Sequence, residues 1–232
     1  MLSLKEELDR VLCKYTSLSL DENDECFSLK GEMTLNAKFN GIPLYDVYHV
    51  KLDVPKTFPK KIPLLTLLNN DEIPDGFEHL YPSNIACLGT FSDLFDFVSA
   101  NDSLLAFIDE IIMSYLYSLS YYKRYGDFPY GERSHGNEGV WEAYFERYHV
   151  NNRAILVKLL LYTGGIVKYR GHHLCPCGSG KKLRNCHGKL ILEDLKSDNK
   201  ACYKLEALEL LDDFISERRG KDGRTVSTKR YF

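Results

Sequence analysis

The chain has 232 residues, of which 44% are hydrophobic and 27% charged, with a formal net charge of −3. These are globular proportions that argue against general disorder and against a membrane protein, and the length accommodates one domain of about 100–200 residues plus a smaller module. The small net charge conceals an asymmetry, since residues 1–120 carry 9 Lys+Arg against 19 Asp+Glu and residues 121–232 carry 21 against 14. An acidic half joined to a basic half points to different partners for each. The first residues turn charged too early for a signal peptide. Leu104 to Tyr122 comes nearest to a membrane span but carries Asp109 and Glu110. A reduced, cytoplasmic setting without a membrane partner is expected.

In chain order, Leu4, Leu8, Val11, Leu12 and Tyr15 recur at helical spacing and predict an opening helix. Strand patterns follow over Cys26 to Asn36, Ile42 to Val54 and Ile62 to Leu68, punctuated by Gly31 and by Asn40-Gly41, a hairpin signal. Pro55, Pro59 and Pro63 break the chain before the third strand. Residues 70–100 show no sustained periodicity and are expected to form a long loop region, of the kind that tends to be functional. Asn101-Asp102-Ser103 caps an amphipathic helix to about Tyr122. Helical patterns return around Trp141 to Tyr148, Ala154 to Tyr162 and Lys200 to Glu217, before a basic tail from Arg218 to Phe232. The order predicts an α+β fold.

Cys87 lies inside the long loop, eight residues after His79. A loop thiol near a histidine suits acyl transfer, whereas flanking Ile85, Ala86 and Leu88 also suit a buried, inert cysteine. Asp93 and Asp96 follow, either as groups orienting an incoming lysine or as solvated charges.

Residues 175–188 read Cys-Pro-Cys-Gly-Ser-Gly-Lys-Lys-Leu-Arg-Asn-Cys-His-Gly. Cys175, Cys177, Cys186 and His187 supply the three thiolates and one imidazole of a closed, structural Zn2+ site. The Gly-Ser-Gly-Lys-Lys stretch lacks the spacing of a phosphate loop. No acid occurs from Lys168 to Lys189, so this stretch could meet an acidic protein face, a ribosome or, less favoured, nucleic acid. His135, in the loop Gly131-Glu132-Arg133-Ser134-His135-Gly136, is a candidate base.

Opening helix, meander, the phrase Val54-Pro55-Lys56-Thr57-Phe58-Pro59-Lys60-Lys61-Ile62-Pro63 and a loop ending Cys87-Leu88 together resemble the ubiquitin-conjugating enzymes. The resemblance covers roughly residues 1–122. Eukaryotic members carry a His-Pro-Asn triplet whose asparagine precedes the cysteine by eight residues; here His79 holds that place, as in bacterial relatives. The 175–188 stretch is similar to the zinc motif at the end of the SecA translocation ATPase. Together the two resemble the stand-alone conjugating enzymes of anti-phage operons built on cyclic-oligonucleotide signalling (CBASS).

The resemblance implies a thioester-forming transferase with Cys87 as nucleophile and His79 bracing the loop or an oxyanion. The C-terminus of the neighbouring CD-NTase, a nucleotidyltransferase, or a ubiquitin-like modifier would be its partner. The competing expectation is a non-catalytic adaptor with structural zinc. The chain ends Lys229-Arg230-Tyr231-Phe232, unlike a Gly-Gly modifier. The expected division is a conjugating-enzyme-like domain over 1–150, a connecting helix over 151–165, a zinc module over 166–190, and a C-terminal helix and tail over 191–232.

Overall fold

The computed structural model describes residues 3–130, 134, 136–197 and 199–221, with side chains to 218. It is a mixed structure of helices and an antiparallel sheet. The chain divides into two compact units, Met1–Gly89 with Asp93–Glu132, and Thr90–Ser92 with Arg133–Phe232.

In the first unit, α1 (Leu4–Lys14) opens on a capping box, in which Ser3 accepts from the Glu6 amide and Glu6 accepts from the Ser3 amide. Its inward face carries Leu8, Val11 and, unusually, Glu7. Glu7 is not stranded: Arg10 pairs with it at 2.9 Å, and it accepts from the Ser103 hydroxyl at 2.9 Å and the Leu105 amide at 3.3 Å. It thereby satisfies an orphan amide at the start of the next helix but one.

Six strands follow: β1 (Leu18–Glu22), β2 (Cys26–Phe39), β3 (Ile42–Pro55), β4 (Leu64–Leu67), β5 (Leu80–Tyr81) and β6 (Ile85–Ala86), in the spatial order β1-β2-β3-β4-β6-β5. The β2–β3 hairpin turns at Asn40-Gly41, with φ of 46° and 84°, and pairs Phe39 with Ile42. Positive φ at both central residues matches the right-handed twist of the strands they join. Tyr48, Val50, Leu52 and Val54 point to the core, as the alternation in β3 predicts.

Gly31 does not punctuate the sheet as expected but lies inside β2. There a Cβ would stand 2.1 Å from the Ser17 carbonyl oxygen, so only glycine lets β1 close on β2. β1 has one buried residue in five, Leu18, and so left no apolar alternation to read.

The region 70–100 is also more ordered than its sequence predicts. It holds β5, β6 and the helix α2 (Phe91–Asn101), which buries Ser92, Leu94, Phe95 and Val98. α3 (Leu104–Ala106), a π-helical stretch Phe107–Ile112 and α4 (Met113–Tyr125) then run on without a break, from a Ser103 cap to a left-handed Gly126. By length and composition Leu104–Tyr125 could cross a membrane, and half of its apolar window is buried. That burial is what a core helix needs.

The second unit is helical: α5 (Asn137–Tyr148), α6 (Arg153–Thr163), α7 (Gly188–Lys196) and α8 (Lys200–Lys221). Trp141, Tyr144, Tyr148, Leu156, Leu159 and Tyr203 are among its buried residues. The expected boundary at residue 150 would leave α5 with the sheet, yet α5 shares this helical core. The physical reason is its aromatic stripe, which needs an apolar partner and finds it on α6 and α8. α7 begins inside the expected zinc module, directly after the last ligand, His187. The expected tail lies largely outside the described residues.

Candidate functional site

Two clusters of chemically capable side chains stand out, one in each unit. In the first, β5 and β6 form a tight hairpin in which Leu80 pairs with Ala86 and Tyr81 with Ile85. The turn Pro82–Asn84 places Ser83 and Asn84 at φ of 64° and 58°, a conformation that asparagine tolerates and serine adopts at a cost. Asn84 anchors the turn by donating to the Asn70 side chain at 2.5 Å.

The ladder continues one rung beyond the strands, where the Cys87 amide donates to the His79 carbonyl at 3.1 Å. The eight-residue spacing of His79 and Cys87 is thus the register of a hairpin, and it sets the two residues opposite each other. Cys87 is partly buried, neither a core thiol nor a free surface one. Its Sγ lies 3.6 Å from the Tyr81 hydroxyl. Tyr81, in β5, stands two residues after His79, a spacing that turns both side chains to one face where the chain is extended. Period-two spacing from His79 was the signal in the sequence that could have found it.

The His79 ring packs edge-on to Phe128 at 4.9 Å and to Phe77 at 5.7 Å. Its carbonyl oxygen also accepts from the Tyr115 hydroxyl of α4 at 3.0 Å. Burial pushes the Tyr115 phenol up, and the neighbouring Cys87 thiol adds to that. Asp93 and Asp96 are exposed on α2. His135 lies outside the described residues, as do Glu132 and Arg133 of the same loop. Between Ile62 and Tyr122 the sequence has nine Asp or Glu and no Lys or Arg.

The second cluster is the cysteine–histidine stretch. The Cys175 amide donates to the Lys181 carbonyl at 2.8 Å and the Leu183 amide to the His173 carbonyl at 2.7 Å, which closes a small antiparallel turn. A short 3-10 turn, Leu183–Asn185, then delivers Cys186 and His187. One ligand atom from each of Cys175, Cys177, Cys186 and His187 lies within 4.8 Å of every other.

The spacing fits one metal. Cys177 Sγ is 3.6 Å from Cys186 Sγ, and His187 Nδ1 is 3.2 Å from Cys175 Sγ and 3.4 Å from Cys186 Sγ. A tetrahedron with Zn–S of about 2.3 Å and Zn–N of about 2.0–2.1 Å has edges of about 3.5–3.8 Å. His187 Nε2 lies 2.9 Å from the Tyr148 carbonyl, which can only accept, so Nε2 carries the proton and Nδ1 offers its lone pair to the metal.

The thiols differ before any metal binds. Burial opposes ionisation of Cys177, but hydrogen bonds to the Ser179 side chain and backbone and to its fellow cysteines outweigh it and lower the thiol to about 6. Burial raises Cys175 to about 11. Gly188 starts α7 directly after His187, and a Cβ there would meet the Leu183 carbonyl at 2.5 Å and the Tyr169 hydroxyl at 2.6 Å.

Residues 174–189 match the SEC-C motif. The match contains all four ligand residues, and ligand set and geometry together make this a zinc site. Three thiolates and an imidazole make a complete tetrahedral ligand set, which leaves no open position for metal catalysis. No curated protein matches the chain.

Proposed function

We propose that the first unit is a ubiquitin-conjugating-enzyme-like transferase that carries an acyl group on Cys87. The observation behind this reading is the seating of Cys87, partly buried on the last rung of a hairpin, with a phenol beside its sulfur and His79 across the ladder. The order of helix, four-strand antiparallel meander, cysteine-bearing loop and long helix supports it. The proposed domain is the whole first unit, with the SEC-C unit as a recruiting module.

In the loading step the sulfur attacks the carbonyl carbon of an activated polypeptide C-terminus. The C–S bond forms, the bond to the leaving group breaks, and the thiol proton leaves to solvent. In the second step an amine nitrogen attacks the thioester carbon, a C–N bond forms, the C–S bond breaks with Cys87 departing as thiolate, and the proton lost from the nitrogen passes to solvent. The Cys87 amide is spent on the His79 carbonyl, so it is not an oxyanion donor. The Tyr81 hydroxyl, 3.6 Å from the sulfur, is the better-placed donor to a tetrahedral oxyanion. The His79 ring, wedged against Phe77 and Phe128, braces the rung. A separate enzyme supplies the activated acyl group. The acyl donor is the C-terminus of a neighbouring CD-NTase, or a ubiquitin-like modifier, in anti-phage defence.

The test mixes the full chain with its operon neighbours. A thiol-labile adduct should form, survive Cys13→Ala and vanish in Cys87→Ala, while Cys87→Ser or Cys87→Lys should trap a thiol-resistant one. An adduct that persists in Cys87→Ala would end this reading. The alternative, a non-catalytic adaptor, draws on the closed zinc site and on exposed Lys168, Arg170, Lys181, Lys182 and Arg184 beside it. It predicts that Cys87→Ala retains defence while loss of zinc abolishes it.

A further inference from the structure

We propose that Tyr115 is a positioning residue for Cys87, fixing the hairpin that carries the thiol through the carbonyl of His79. The proposal rests on the acyl-transfer reading above and extends it to a residue of α4.

The β5–β6 ladder has two residue pairs, and β6 meets β4 through a single pair, Thr66 with Ile85. So short a ladder does not hold its own geometry in water. The rung that sets Cys87 lies beyond both pairs, and the chain turns away two residues later at Gly89, with φ of 147°. The thiol therefore depends on a terminal rung, where fraying is easiest.

Tyr115 meets that rung from the helix side. Its hydroxyl donates to the His79 oxygen at 3.0 Å, and the Cys87 amide donates to the same oxygen at 3.1 Å. Both lone pairs of the carbonyl are thus occupied, one by the strand and one by the helix. The Tyr115 side is the rigid one, since the residue is 8% exposed and its ring packs edge-on to Phe77 at 5.9 Å. Burial pushes its phenol up, with Cys87 and Tyr48 adding, so across the neutral range the hydroxyl stays protonated and donates.

Tyr115→Phe removes the donor and keeps the ring. On the full chain, Cys87 alkylation by iodoacetamide should become several-fold faster, with an altered pH–rate profile, while Cys26 alkylates as before. Adduct formation with the operon partners should fall about tenfold to a hundredfold, the cost of a misplaced reacting atom. The control is Tyr122→Phe on the same helix, whose hydroxyl donates to the Gly76 carbonyl at 3.1 Å and which should leave Cys87 unchanged.

Equal acceleration at Cys87 and Cys26, an equal effect of Tyr122→Phe, or an unchanged Cys87 would each overturn the proposal. Alkylation needs no partner. A chain whose Cys87 responds to Tyr115→Phe as expected but never forms an adduct therefore overturns the acyl-transfer reading alone.

Discussion

Asp194 shows how much can hang on one side chain. It is fully buried, pairs with Arg147 at 2.5 Å, and accepts from the Tyr148 hydroxyl at 2.6 Å. Tyr148 in turn holds His187 through its carbonyl, so the carboxylate braces a metal ligand at one remove. Asp194→Ala would remove the buried carboxylate that Arg147 and Tyr148 share and should cost about 3–5 kcal/mol, read as a lower urea midpoint for the second unit. Tyr148→Phe should cost less, about 1–2 kcal/mol, because only a hydroxyl is lost and Asp194 keeps its pairing with Arg147. At this scale the sequence was partly legible. Cys175, Cys177, Cys186 and His187 announce themselves by ligand chemistry and spacing. Tyr81 and Tyr115 do not, because they reach Cys87 through strand register and helix packing.

Among the elements, those with a strong period were legible and those held by neighbours were not. The hairpin at Asn40-Gly41 and the alternation in β3 are written locally. α2 starts among Gly89, Thr90, Ser92 and Asp93, residues that read as loop, and its helix rests on burying Leu94, Phe95 and Val98. The metal-bearing turn belongs to this scale too. Leu183 is fully buried in the helical core and α7 begins at the last ligand, so zinc pins the turn and α7 together. Chelation should release one zinc per chain and lower the far-ultraviolet helical signal. Acid should release it as well, because protons compete for three thiolates and an imidazole. Cys186→Ser should bind zinc more weakly, whereas Cys202→Ser should not.

At the scale of the whole molecule, each unit has its own core among the described residues: the sheet with α1 and α4 in one, helices α5 to α8 in the other. Zinc enters one of them. Thermal unfolding followed by calorimetry should therefore show two transitions, and a chelator should move one and leave the other in place. A single transition shifting as a whole would refute that independence.

The run without Lys or Arg has a consequence for the bench. Trypsin cannot cut between Lys61 and Lys123, so it releases Ile62–Lys123 as one fragment of 62 residues. Cys87 is the only cysteine within it. Any mass added at that thiol, by alkylation or by an acyl partner, will appear on this one peptide, separate from all six other cysteines of the chain.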